Sequence, residues 1–113
     1  MITEIYKICL VNEWAEACKQ GIYSGSKVDI ADGFIHFSTR QQLAATAEKH
    51  FYAQKNLILV EINLEQIANL ELTWEPSRGG ELFPHLYKEL DVTGLEKTWI
   101  LSLDERKIPI LPF

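Results

Sequence analysis

The sequence predicts a small α+β domain, and three observations carry that prediction. Strand-like and helix-like segments mix without the regular βαβ alternation of a parallel sheet. The near-continuous apolar run from Leu57 to Ile62 has the length and character of a central strand. Trp14, Ala17 and Cys18 recur at i, i+3, i+4, the stripe of an amphipathic helix. Together they imply small mixed or antiparallel sheets with two main helices, in a single domain of 113 residues.

Taken in order, Ile5 to Val11 is apolar enough for an opening strand. Asn12 is placed to cap a helix over Glu13 to Gln20, with Gly21 as its stop. Gly21 to Gly33 is rich in Gly, Ser and Asp and reads as an extended loop. Phe34 to Ser38 follows as a short strand. Ser38-Thr39-Arg40-Gln41-Gln42 offers a capping box in two registers, Ser38 with Gln41 or Thr39 with Gln42. The helix it opens ends near Tyr52, with Leu43, Ala47 and Phe51 on its buried side. Leu64 to Ala68 forms one helical turn. Leu70 to Glu75 alternates with period two, as a half-buried strand does. Glu96 to Leu103 is a further strand, and Asp104 to Lys107 a polar turn into a closing segment that ends at Phe113.

The charge balance is 11 basic against 16 acidic residues, net −5. That argues against an extended nucleic-acid surface, which needs clustered Lys and Arg. A compact phosphate site built from one or two basic groups stays open. The N-terminal residues lack the layout of a secretory signal, and no apolar run approaches the roughly 18 to 20 residues of a membrane span. Cys9 and Cys18 read as two small buried thiols. A cytoplasmic protein is the expectation.

The stretch Trp74-Glu75-Pro76-Ser77-Arg78-Gly79-Gly80-Glu81-Leu82-Phe83-Pro84-His85-Leu86-Tyr87 concentrates functional residue types. Charged groups stay outside a core unless paired, and two prolines with a Gly-Gly pair work against a long regular element. Strand period gives this stretch a partner. If Ile35 and Phe37 meet the helices, His36 and Ser38 share the opposite face. By the same rule Thr73 and Glu75 share a face, as do His85 and Tyr87. A cleft lined by His36, Ser38, Thr73 and Glu75, closed by the Arg78–Tyr87 segment, follows if the two strands are neighbours. Plainer roles exist for each residue: Ser38 and Thr39 as caps, Glu75 in an ion pair with Arg78, and Gly79-Gly80 as a turn.

The three histidines and two cysteines lack the spacing of a zinc site. No nucleophile elbow, P-loop or Rossmann glycine pattern is present, and neither cysteine sits in an electropositive setting. The remaining chemistry uses a histidine, a carboxylate, an arginine and aromatics around a phosphorylated or polyhydroxylated ligand. Arg78 beside Gly79 and Gly80 suits a phosphate. His36 suits a ribose hydroxyl, and a glutamate suits the developing charge at an anomeric carbon.

The chain resembles the small bacterial family known as domain of unknown function 952. The residues that carry the resemblance are Tyr6-Lys7, Trp14, Tyr23, Asp29, Asp32-Gly33-Phe34-Ile35-His36-Phe37-Ser38-Thr39, His50-Phe51 and the Trp74–Tyr87 stretch. Lys88 departs from the glycine often found there. The resemblance implies a compact α+β fold grouped with the ADP-ribosyltransferase-like folds, which bind NAD in a cleft between two small sheets. It implies a ribose-contacting role for His36, an aromatic role for Tyr23 or Tyr87, and a glutamate role for Glu75 or Glu81. Fold analogy does not fix function. Two functional expectations therefore stand together: an enzyme that handles NAD or ADP-ribose, as a transferase or hydrolase acting at the ribosyl bond, through His36, Arg78, Glu81 and the aromatics, or a non-catalytic module whose Arg78, His85 and Tyr87 recognise a small anion or partner peptide. A third treats the stretch as a stabilising lid.

Overall fold

In the computed structural model, residues 1–67 and 71–113 are described, without the Arg78 side chain. The architecture is α+β, with three small antiparallel sheets. Strands β1 (Glu4–Leu10), β4 (Leu57–Asn63) and β8 (Thr98–Leu101) form one sheet in the order β1-β4-β8. Strands β3 (Ile35–His36), β5 (Leu72–Pro76) and β6 (Leu82–Leu86) form a second in the order β3-β6-β5. A two-stranded ribbon joins β2 (Ile22–Tyr23) to β7 (Leu90–Asp91).

The apolar run at β4 is central, as its sequence requires, and is buried on both faces. Ile58, Val60 and Ile62 join Ile5, Cys9, Trp14 and Ala17 on one side. Leu57 and Leu59 join Tyr6, Ile8, Leu43 and Ala47 on the other. Helix α1 (Val11–Gln20) therefore covers one face of the first sheet and α3 (Leu43–His50) the opposite one.

Several boundaries differ from the sequence reading, each for a local reason. Helix α1 begins one residue before Asn12, which does not cap it; Leu10 is the N-cap, and its N–H lies 3.4 Å from the Glu13 carboxylate. Gly21 ends the helix in the left-handed region at φ 85°. Cys18 lies on the exposed side of α1, whereas Cys9 is buried. The expected loop from Gly21 to Gly33 contains β2 and a short helix, α2 (Lys27–Asp32). Ser26 caps α2, accepting from the Asp29 N–H while the Asp29 carboxylate accepts from the Ser26 N–H at 2.9 Å. Of the two capping registers at the start of α3, the structure uses Thr39 with Gln42; Ser38 instead bonds the Thr46 hydroxyl at 3.1 Å. The turn expected to reach Ala68 and the strand expected from Leu70 run partly outside the described residues.

The second sheet holds the largest departure. Leu82 to Leu86, with Pro84 inside it, is the central strand of its sheet. A strand residue's N–H and C=O point to one edge, and the Pro84 carbonyl accepts from the Phe37 N–H at 3.0 Å. The missing donor thus faces the β3 side just where the β3 ladder ends, at the His36–His85 pair. The β5 ladder on the other edge is unaffected, and pairs Leu72 to Pro76 throughout.

Candidate functional site

The two three-stranded sheets meet at one bridge. Tyr6 and Ser38 exchange backbone hydrogen bonds of 2.8 and 2.9 Å, after which β1 and the chain leading back into β3 diverge. A cavity of about 580 Å3 opens beside this junction. Tyr6, Lys7, Ile8, Cys9 and Leu10 all line it. Consecutive strand side chains alternate between faces, so a cavity touching all five abuts the edge of β1 itself. The Ile8 N–H and C=O lie on the same edge as those of Tyr6 and face this space. His36 and His85 line it from the second sheet, Phe37 and Ser38 from the chain just after β3, Val28, Asp29 and Asp32 from α2, and Thr46, His50 and Phe51 from the α3 side. Its walls are largely apolar.

Lysine 7 spans the fork. Its ammonium donates to the His36 carbonyl at 2.9 Å and pairs with Asp29 Oδ2 at 2.8 Å. Asp29 is buried and holds His36 Nδ1 at 2.6 Å through its other oxygen. Burial alone would raise the Asp29 pKa, but the His36 ring, the Lys7 ammonium and the Ser26 N–H together hold the carboxyl far below the usual carboxylate range. Asp32 Oδ2 takes the second ring nitrogen of His36 at 3.0 Å. Both nitrogens of His36 are therefore occupied by carboxylates.

Beside it, His85 Nδ1 lies 2.8 Å from Glu75 Oε1, and the Tyr87 hydroxyl donates to the same oxygen at 2.6 Å. The Tyr87 and His85 contacts lower the Glu75 pKa, and the bond to Glu75 raises that of Tyr87. His85 is buried, and among the described residues its Nε2 has no hydrogen-bond partner. The His36 and His85 ring centroids are 5.2 Å apart. Phe34 packs against both rings, at 4.6 and 4.2 Å, and against Tyr87 at 5.1 Å.

The structure thus brings together His36, Ser38, Glu75, His85 and Tyr87 from the sequence candidates. Glu75 touches His85 from behind and does not line the cavity. Glu81 is exposed, and neither it nor Gly79 or Gly80 lines the cavity. Gly79 and Gly80 supply a turn at φ 63° and 81°. Tyr23 is a core residue packed on Trp14 at 5.8 Å. Its hydroxyl is buried, has no nitrogen or oxygen partner among the described residues and adjoins the Cys9 thiol. The Arg78 side chain lies outside the described part of the chain. Lys7, Asp29, Asp32 and Phe34 were missing from the candidate set. The Ser26-x-x-Asp29 cap was the one local signal of α2, and nothing local announced Lys7 as a partner.

Among the described residues no group of three His, Cys, Asp or Glu side chains is arranged to hold a metal ion, and no helix is long and apolar enough to cross a membrane. Compared with known families, residues 8–98 match the one described as "Protein of unknown function (DUF952)". The chain belongs to this family. The matched DUF952 segment contains the Asp29–His36 and Glu75–His85 pairs. The chain is similar over its length to the crystal structure of protein CC0527 from Caulobacter crescentus, at 45% identity and a TM-score of 0.90, covering 96% of this chain and 94% of that one. The solution NMR structure of CC0527 from the same organism matches at 45% identity and a TM-score of 0.83, covering 96% and 92% of the two chains. No curated protein matches.

Proposed function

We propose that this DUF952 protein binds an ADP-ribosyl ligand, NAD or ADP-ribose, in the cavity between β1 and β3. The observation that carries the reading is the pair of imidazoles at one cavity, each fixed at Nδ1 by a carboxylate, with ring centroids 5.2 Å apart. Orientated polar groups on a largely apolar wall are the usual make-up of a small-molecule site, and about 580 Å3 falls in the ordinary size range. The imidazole end suits ribose hydroxyls. The apolar walls from Phe37, Phe51 and Phe83 suit a flat base, and Lys27 at the rim offers positive charge to a diphosphate.

Calorimetric titration with NAD and with ADP-ribose tests the reading. Heat that saturates at sub-millimolar ligand and weakens in His36→Ala is expected. No heat from either compound at millimolar concentration would sink it. Nicotinamide release from NAD, lost in Glu75→Gln, would extend binding to turnover.

A further inference from the structure

Helix α2 lies along the cavity wall, and its two aspartates differ in what they have left to offer. Val28, Asp29 and Asp32 stand on it at i, i+1 and i+4, and all three line the cavity. Asp29 Oδ1 accepts from the His36 N–H at 3.2 Å and holds Nδ1 of the same residue at 2.6 Å. Its Oδ2 accepts from the Ser26 N–H at 2.9 Å and pairs with the Lys7 ammonium at 2.8 Å. A carboxylate has about four acceptor positions, so these contacts saturate Asp29, whose side chain is only 2% exposed. Asp32 is 48% exposed, and the His36 ring at 3.0 Å takes a single one of its positions. The His36 side chain is itself 33% exposed. A carboxylate only accepts, so the contact with Asp32 uses a proton on Nε2. An accessible acceptor and an accessible ring N–H thus sit side by side on the wall.

We infer that Asp32 and His36 form a clamp for the vicinal diol of a ribose carrying a 5′-phosphate, and that Asp32 makes the cavity select ribose over 2′-deoxyribose. One hydroxyl donates to Asp32, while its neighbour donates to the same carboxylate and accepts from the Nε2–H of His36. A hydroxyl donates and accepts at once, so a pair of hydroxyls uses both halves of the clamp. A phosphate in the same place would be repelled by the Asp32 charge. The phosphate belongs at the other end of α2. Lys27 lines the cavity five residues before Asp32, about 7.5 Å away along the axis at about 1.5 Å per residue. That spacing suits a ribose diol and a phosphate on the 5′ carbon of the same sugar. Asp29 acts through the ring and is a positioning residue, whereas Asp32 and His36 touch the ligand. The choice of a ribose as the diol rests on the ADP-ribosyl reading.

Nuclear magnetic resonance titrations of the full chain with ADP-ribose, ribose 5-phosphate and 2-deoxyribose 5-phosphate test this. Expected are shifts of the His36 ring signals with ADP-ribose and with ribose 5-phosphate. The deoxy sugar is expected to bind about tenfold more weakly than ribose 5-phosphate, the equivalent of one lost hydrogen bond to a charged group. In Asp32→Ala, with its melting midpoint checked, that preference should fall to near unity. A merely structural Asp32 would weaken both sugar phosphates alike and leave the preference intact, which overturns the clamp. The native protein decides the matter independently of the variant. If ADP-ribose moves the cavity signals while the two sugar phosphates bind equally or not at all, the clamp is overturned and the ADP-ribosyl reading stands. If ADP-ribose moves nothing in the cavity, both fail.

Discussion

Asp29 sits between two partners from different sheets: its Oδ1 is 2.6 Å from His36 Nδ1, while its Oδ2 is 2.8 Å from the Lys7 ammonium. One buried carboxylate thereby fixes the ring in the second sheet and neutralises a lysine reaching across from the first. Removing it leaves an uncompensated buried charge. Asp29→Asn is expected to lower the unfolding free energy by about 3–5 kcal/mol, measured by urea denaturation. The double change Lys7→Met with Asp29→Asn should cost less than the sum of the single changes. Additive costs would show that the pair is not coupled.

The same carboxylate predicts an acid limb. Its folded pKa is depressed, so its contribution is fully present above the unfolded Asp value of about 3.9 and is lost as pH falls toward the folded value. The stability difference between the native protein and Asp29→Asn should be flat above about pH 5 and shrink below about pH 4. A difference that grows on acidification would contradict the assignment.

Gly25 approaches Asp29 so closely that a Cβ there would stand 2.6 Å from Asp29 Cβ, at a backbone φ of +109°. Gly25→Ala is therefore expected to destabilise by more than the roughly 1 kcal/mol typical of a left-handed glycine. It should also move the His36 ring resonances, because the clash pushes on the residue that holds the ring. Unchanged melting and unchanged His36 signals would count against this packing.

Burial pushes the Cys9 thiol up to about 12, whereas Cys18 is exposed on α1. At pH 8 a maleimide should label the folded protein once, at Cys18, and label it twice in denaturant. Rapid double labelling of the folded chain would show that β1 opens readily.

How much of this was legible beforehand divides along the line between local and non-local interactions. The facing of Glu75, and of His85 with Tyr87, followed from the two-residue strand period. That these faces meet required the β5–β6 pairing, which no spacing encodes. Thr39 and Ser38 were ambiguous as caps because both registers end in glutamine; burial of Gln42, whose amide donates to the Leu82 carbonyl at 2.8 Å, selects Thr39. Helix α2 was hidden by its composition. Val28 and Ile30 are both exposed, so the segment buries no apolar stripe, and it is held by a cap and by Asp29 turned inward toward Lys7. Glu81 drew attention as a charged residue in a glycine-rich stretch and is exposed, whereas among the described residues the buried charges of the site come from Lys7 and Asp29. A charge that is buried because a distant partner arrives cannot be told from a surface charge by its neighbours in sequence.

Pro84 has a consequence for assembly of the second sheet. A slip of β6 by one residue would turn His85 away from Glu75 and onto the far face. A slip by two that set Pro84 opposite Ile35 would bring the residue without an N–H into the short ladder with β3 and remove one of its few bonds. The proline thus disfavours one neighbouring alignment of the three strands, and it stands directly beside the histidine whose aim depends on the alignment.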